Sequence, residues 1–146
     1  MLLIKDIVFD DNISVNLEDS IEYAIQTMCK NAQGVIVVLS NDIPMGILTE
    51  RDILHMVNSE IDYATPISSI LHLKTLITVN SKRTVEYALH LFIDNNIRRL
   101  IVVDDRNIFI GIITQDILIK HLEDDSFQTN LMIEHFIKTS RKKREG

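Results

Sequence analysis

Val35-Ile36-Val37-Val38, followed by Gly46-Ile47-Leu48-Thr49-Glu50-Arg51-Asp52-Ile53-Leu54, decides the fold, because the chain contains the pattern twice. Leu100-Ile101-Val102-Val103 and then Gly111-Ile112-Ile113-Thr114 repeat it at an offset of 65, and Gln115 leads into Asp116-Ile117-Leu118 at an offset of 64. Upstream, Ile21-Glu22-Tyr23-Ala24-Ile25 matches Val85-Glu86-Tyr87-Ala88-Leu89, also at 64. Self-similarity at a fixed period marks a chain built from one supersecondary unit used again. The changes of offset place an added residue near Arg98-Arg99 in the second copy and a lost one between Thr114 and Asp116.

Each copy reads as the same series of elements. Ile13 to Val15 and Leu76 to Val79 are short β-prone runs. Ile21, Ala24, Ile25, Met28 and Ala32 fall at helical spacing, as do Val85, Ala88, Leu89 and Phe92. The aliphatic runs from Val35 and from Leu100 read as strands buried on both faces. Ser40-Asn41-Asp42 and Asp104 to Asn107 carry turn chemistry. A second strand and a short helix complete the copy. The expected fold is therefore α/β (α+β), β-α-β-β-α twice over. One copy is too small to bury its sheet alone, so the two are expected to pack sheet to sheet with pseudo-twofold symmetry. The expected division is 1–60, 61–123, and 124–146 for a C-terminal helix (Phe127 to Ile137) with a basic tail.

Composition narrows the class. Hydrophobic residues make up 46% of the 146 but aromatics only 5%, so the core must be aliphatic. Met1 to Ile4 is apolar, but Lys5 and Asp6 end the run too early for a signal peptide, and no stretch reaches the roughly 20 apolar residues of a membrane span. A single cysteine, Cys29, excludes an intrachain disulfide and suits a reducing cytoplasm. Cys29 follows Ile25 by one helical turn and is expected in the core, and the matched Tyr23 and Tyr87 suggest packing duplicated with the repeat. The net charge is −6, although Lys138, Arg141, Lys142, Lys143 and Arg144 crowd the C-terminus, so the remainder is strongly acidic. An acidic body argues against general nucleic-acid binding.

The paired motifs resemble the cystathionine-β-synthase (CBS) domain family in its tandem arrangement, the Bateman module, over residues 1–123. The resemblance implies a regulatory, non-catalytic module whose clefts hold adenosine-type ligands: AMP, ADP, ATP, S-adenosylmethionine or dinucleotides. It also implies a homodimer that acts on another protein.

Thr49-Glu50-Arg51-Asp52 opens a helix directly after a strand, the pattern of a capping box, in which threonine and the residue three on satisfy each other's backbone. The same geometry presents N–H groups and a carboxylate to a ligand. The two readings stand side by side. The resemblance implies that Thr49 meets phosphate and Asp52 the ribose; Ile47 and Arg51 are further candidates, Arg51 serving either phosphate or only solvent. It further implies backbone recognition of the base at Ile13-Ser14 and Ile77-Thr78, small residues Ala24 and Ala88 nearby, and phosphate contact from Arg98 or Arg99. Thr114 and Asp116 are the second copy's counterparts. One residue fewer there sets Asp116 about 100° round the helix, so one principal cleft is expected around Thr49 and Asp52.

No nucleotide-loop or metal-binding motif occurs, and no two of the five histidines are four apart. Neither a required cofactor, a metal site nor an enzymatic activity is expected. The alternative functions are a ligand-free dimerisation scaffold and partner or nucleic-acid contact through the basic tail.

Overall fold

The computed structural model describes residues 2–7, 14–31, 34–71 and 76–122. The first copy contributes β1 (Ser14–Asn16), α1 (Ile21–Asn31), β2 (Val35–Ser40), β3 (Ile43–Thr49) and α2 (Glu50–Asn58). The second contributes β4 (Thr78–Asn80), α3 (Val85–Asn95), β5 (Arg99–Val103), β6 (Phe109–Thr114) and α4 (Gln115–Leu122). The expected β-α-β-β-α order is present twice, as two three-stranded sheets ordered β1-β2-β3 and β4-β5-β6. The expected helix at Phe127 to Ile137 and the basic tail lie outside the described residues.

In each sheet the aliphatic run is the central strand. β2 is buried from Val35 to Leu39 and β5 from Leu100 to Val103, as two-faced burial requires. β1 runs parallel to β2 across the α1 crossover, and β3 returns antiparallel. Asn41 and Asp42 make that return in two residues, both at positive φ (50° and 66°), the turn that matches strand twist. The helices start on hydroxyl caps: Ser20 Oγ accepts from the Tyr23 N–H and Thr84 Oγ1 from that of Tyr87, each at 3.1 Å. Their apolar stripes then face inward, through Ile21, Ala24 and Met28 in α1 and through Val85, Ala88, Leu89 and Phe92 in α3.

Strand register relocates the difference between the copies. Ser14 pairs with Val37 and Thr78 with Ile101, so the offset is 64 through both central strands. The Glu50 N–H donates to the Gly34 carbonyl and the Gln115 N–H to that of Arg98, which makes Gly34 the counterpart of Arg98. The added residue is therefore not near Arg98-Arg99. It lies in the second hairpin, between Val103 and Gly111. Nor is a residue lost after Thr114: Leu118 is fully buried whereas Leu54 is 69% exposed, so Leu118 answers to Ile53 and Ile117 to Asp52.

The described residues form two compact units that do not follow the chain in order. One takes the described residues of 14–77 with 106–109, and the other those of 2–7, 78–105 and 110–122. In the second unit the N-terminal segment is anchored by Ile4 N–H to the Arg83 carbonyl (2.9 Å), Lys5 N–H to that of Ser81 (2.8 Å) and a fully buried Ile4. In the first unit Ile67 is the matching buried anchor, and its N–H donates to the Asp19 carbonyl at 2.8 Å. Each anchor sits in a short 3-10 turn, Ile4–Asp6 or Ile67–Ser69. The segment that precedes each repeat thus packs in the unit of the other.

Two side-chain expectations are corrected. Cys29 is exposed, because it lies one position beyond Met28 and off the inward stripe of α1. Tyr23 and Tyr87 are 50% and 40% exposed, and the Arg83 guanidinium lies 4.6 Å from the centre of the Tyr87 ring.

Candidate functional site

Thr49 leaves β3 in an extended conformation (φ −117°, ψ 167°) and becomes the N-cap of α2. Its side chain accepts from the Asp52 N–H at 3.3 Å. Asp52 Oδ2 answers by accepting from the Thr49 N–H at 2.8 Å and the Thr49 hydroxyl at 3.0 Å. The capping box is complete, and it stabilises a helix start by roughly 1 kcal/mol. It also changes what the site offers. The N–H groups of Thr49, Glu50 and Asp52 are all engaged, by Asp52, Gly34 and Thr49 respectively. The half-buried Asp52 keeps Oδ1 free of hydrogen bonds among the described residues.

Asp52 opens onto a cavity of about 460 Å³ lined along α2 by Asp52, His55, Met56 and Ser59. That volume falls in the range of roughly 300–1,000 Å³ typical of small-molecule sites. Ile47 and Leu48 of β3 form another wall, and Ile61, Ser69, Ile70 and Leu71 complete it from the chain leading to the second copy. Gly46 permits this closure, because a Cβ there would come within 2.9 Å of a Leu71 methyl.

The structure thus brings Asp52 and Ile47 together, with Thr49 held to Asp52. Arg51 is exposed on α2, Ser14 is exposed at the start of β1, and Ile77 is half-buried just before β4, whose first residue Thr78 is exposed. Ile13 lies outside the described residues. Ala24 and Ala88 are fully buried under their helices, as close packing requires. Arg98, Arg99, Thr114 and Asp116 belong to the other unit. There Thr114 Oγ1 accepts from the Ile117 N–H at 3.3 Å, so Ile117 holds the place that Asp52 holds in α2. Asp116 is exposed one position earlier, and Gln115 Nε2 donates to the Ile97 carbonyl at 2.8 Å. Arg98 and Arg99 are both exposed.

His55, Ser59 and Ser69 are lining residues that the motif did not single out. The first two were legible as positions three and seven after Asp52 on one helical face. Ser69 was not, since it reaches the site only through the return of the linker. An ion pair lies elsewhere: Lys82 with Asp105, both exposed, in the second unit. No group of three His, Cys, Asp or Glu among the described residues is placed to hold a metal. No described helix is long and apolar enough to cross a membrane.

Two β-α-β-β-α units, each with a threonine-capped helix after its last strand, define a tandem-repeat architecture. The chain belongs to the CBS domain family, whose model matches residues 4–59 and 67–124. It is 36% identical over 103 residues to an uncharacterized protein of Methanopyrus kandleri, covering 69% of this chain and 53% of that one, so it spans about half the length of that relative. It is 29% identical to the CBS domain-containing protein YhcV of Bacillus subtilis, covering 86% and 90%. An inosine-5'-monophosphate dehydrogenase of Methanocaldococcus jannaschii is 34% identical over 77% of this chain, but the match takes in only 22% of the enzyme. Among solved structures, the fold resembles the CBS domain protein PAE2072 of Pyrobaculum aerophilum complexed with AMP (TM-score 0.66, 23% identity, 80% and 89% covered). It also resembles the CBS domain pair of protein MJ0100 in complex with 5'-methylthioadenosine and S-adenosyl-L-methionine (TM-score 0.65, 23% identity, 82% and 98% covered).

Proposed function

We infer that the protein is a regulatory module that binds an adenosine-type ligand, of the AMP, ADP, ATP or S-adenosylmethionine class, against Thr49 and Asp52. Binding signals to a partner protein through a change in conformation or dimer packing. The observation that carries this is Asp52, hydrogen-bonded to Thr49, lining a cavity of about 460 Å³. Family membership and the adenosine ligands of PAE2072 and MJ0100 support it. Asp52 Oδ1 is the open acceptor for a ribose hydroxyl, and Thr49 can exchange its bond to Asp52 for one to the ligand. Leu71 and Ile70 make the cavity wall part of the linker, so an occupant would bias the segment that runs on to the second repeat. A ligand shifts such an equilibrium only by its difference in affinity for the two states.

Calorimetry and thermal shift with AMP, ADP, ATP and S-adenosylmethionine test this. At 100 times Kd the ligand adds about 2.7 kcal/mol of stability, and Asp52→Ala abolishes the effect while leaving the fold intact. Binding that survives Asp52→Ala overturns the assignment of the site. A ligand-free dimerisation scaffold is the second reading, favoured by Leu54 and Val57, 69% and 56% exposed on the outer side of α2. Silence across the ligand panel, together with a dimer broken by Leu54→Asp, would establish it.

A further inference from the structure

Asp52, tied to Thr49, is one lining residue of the cavity; the rest of the wall has a polarity of its own. Ser59 and Ser69 both line it, and each has its hydroxyl hydrogen engaged by the backbone. Ser59 Oγ donates to the His55 carbonyl at 2.8 Å, and Ser69 Oγ to the Pro66 carbonyl at 2.7 Å. A hydroxyl has one hydrogen and two lone pairs, so both serines present acceptors to a guest. Asp52, when ionised, is acceptor-only as well. Ser59 is also the residue that ends α2, which sets this part of the wall at the negative pole of the helix. Among the described residues no lysine or arginine lines the cavity, and none pairs with Asp52. Among the described lining side chains, His55 alone carries an N–H donor.

A phosphate against this wall would meet a carboxylate, two acceptor oxygens and a helix C-terminus, with no lysine or arginine among the described lining residues to offset them. An amine or ammonium would be received by all of them. We propose that the cavity beside α2 takes a cationic, hydrogen-bond-donating arm of an adenosine-type ligand and excludes phosphate. This rests on the nucleoside being held at Thr49 and Asp52 as inferred above. The second repeat does not duplicate the wall: at the positions of Asp52, His55 and Ser69 it has Ile117, Lys120 and Asp6.

The test is calorimetry on the full chain with adenosine, 5'-amino-5'-deoxyadenosine, S-adenosylmethionine and AMP. The amino nucleoside, with an ammonium where AMP has its phosphate, is expected to bind about tenfold or more tighter than adenosine, the effect of a charge-assisted hydrogen bond. Ser59→Ala with Ser69→Ala cuts that advantage by about threefold or more and leaves AMP within about twofold of its original affinity. Ser69→Asp, read separately, strengthens the amino nucleoside and weakens AMP. Both serines are exposed, and unchanged circular dichroism confirms that the variants fold. An amino nucleoside no tighter than adenosine, or an advantage that the double substitution leaves unchanged, overturns the proposal. If adenosine and AMP nevertheless bind and are lost in Asp52→Ala, the inferred function stands and only the cationic subsite falls. If none of the four binds, both fall.

Discussion

In the first repeat Asp52 occupies the third position of α2 and closes on Thr49; in the second, Ile117 occupies that position of α4 and Asp116 faces solvent one residue earlier. The strands and inner helix faces around them are nearly interchangeable. Val15 and Val79, Ala24 and Ala88, Ile36 and Leu100, and Val38 and Val102 are all buried at an offset of 64. The hydrophobic framework was therefore duplicated and kept, while the polar chemistry was kept on one side only. Core positions are constrained by volume in both copies, whereas a capping aspartate is replaceable at a cost of about 1 kcal/mol. A single complete Thr-x-x-Asp pair fits the one ligand site proposed above.

The equivalence of the frameworks is the part most open to attack. Ile36→Ala and Leu100→Ala each remove a fully buried side chain from a central strand. Each is expected to destabilise by about 3 kcal/mol, within the ~2–5 kcal/mol seen for such truncations. Urea unfolding measures both. Costs that differ by more than about 2 kcal/mol would show that the two cores are not equivalent.

Gly46→Ala probes where the linker closes on the first repeat. The added methyl would sit 2.9 Å from Leu71 Cδ1 and 3.0 Å from Cδ2, so the linker must yield. A loss of about 2 kcal/mol is expected from such overpacking, along with a weakened ligand response, since Leu71 lines the cavity. Adding Leu71→Ala should relieve the clash, so a double variant as poor as Gly46→Ala with cavity loss simply added would break the link between the two residues. A double-mutant cycle reads this directly.

How much of this was legible in the sequence depended on how strictly each residue's neighbourhood fixes its place. The glycine-strand-threonine motif located β3 and α2, and the capping box followed from its spacing. The central strands hid their register, because Val35 to Leu39 and Leu100 to Val103 are buried on both faces. A run without alternation looks the same after a slip of one. The extra residue was thus placed beside Arg98 when it lies in the second hairpin. Leu54 matched Leu118 by identity, yet one is exposed and the other buried. Only the helix's inward face distinguishes them. The packing of Ile4 and Ile67 in the units of the opposite repeats, and the orientation of the Ser59 and Ser69 hydroxyls, are tertiary facts with no local signature.

The asymmetry of the caps gives a smaller effect with a clear sign. Asp52→Ala removes both bonds to Thr49 and should cost about 1 kcal/mol. Asp116→Ala should change stability by less than about 0.5 kcal/mol, as for an exposed residue without a specific contact. Thermal denaturation without ligand measures both. Equal losses would mean that Asp116 caps α4 after all, and the contrast between the helices would collapse.

The smallest effect belongs to a feature that only the second repeat has. Lys82 donates to Asp105, which also accepts from Asn80 at 2.9 Å; the first repeat has Glu18 and Asn41 at the positions of Lys82 and Asp105. The hydrogen bond to Asp105, followed by its charge, raises the Lys82 pKa, and the bonds from Lys82 and then Asn80 lower that of Asp105. A lowered carboxylate contributes stability that is present above its unfolded pKa and is lost as pH falls through the folded one. The raised lysine contributes stability that is present below its unfolded pKa and is lost as pH rises through the folded one. The contribution of the pair is therefore a plateau at neutral pH with a shoulder on the acid side and another far on the alkaline side. Both partners are largely exposed, so salt screens them and the plateau is low. The melting-temperature difference between the protein and Asp105→Asn should be small at neutral pH, fade below about pH 4 and vanish in 1 M salt. A difference that grows on acidification would mean that Asp105 is held by something other than Lys82 and Asn80. The hairpin that carries the second repeat's extra residue would then be anchored in another way.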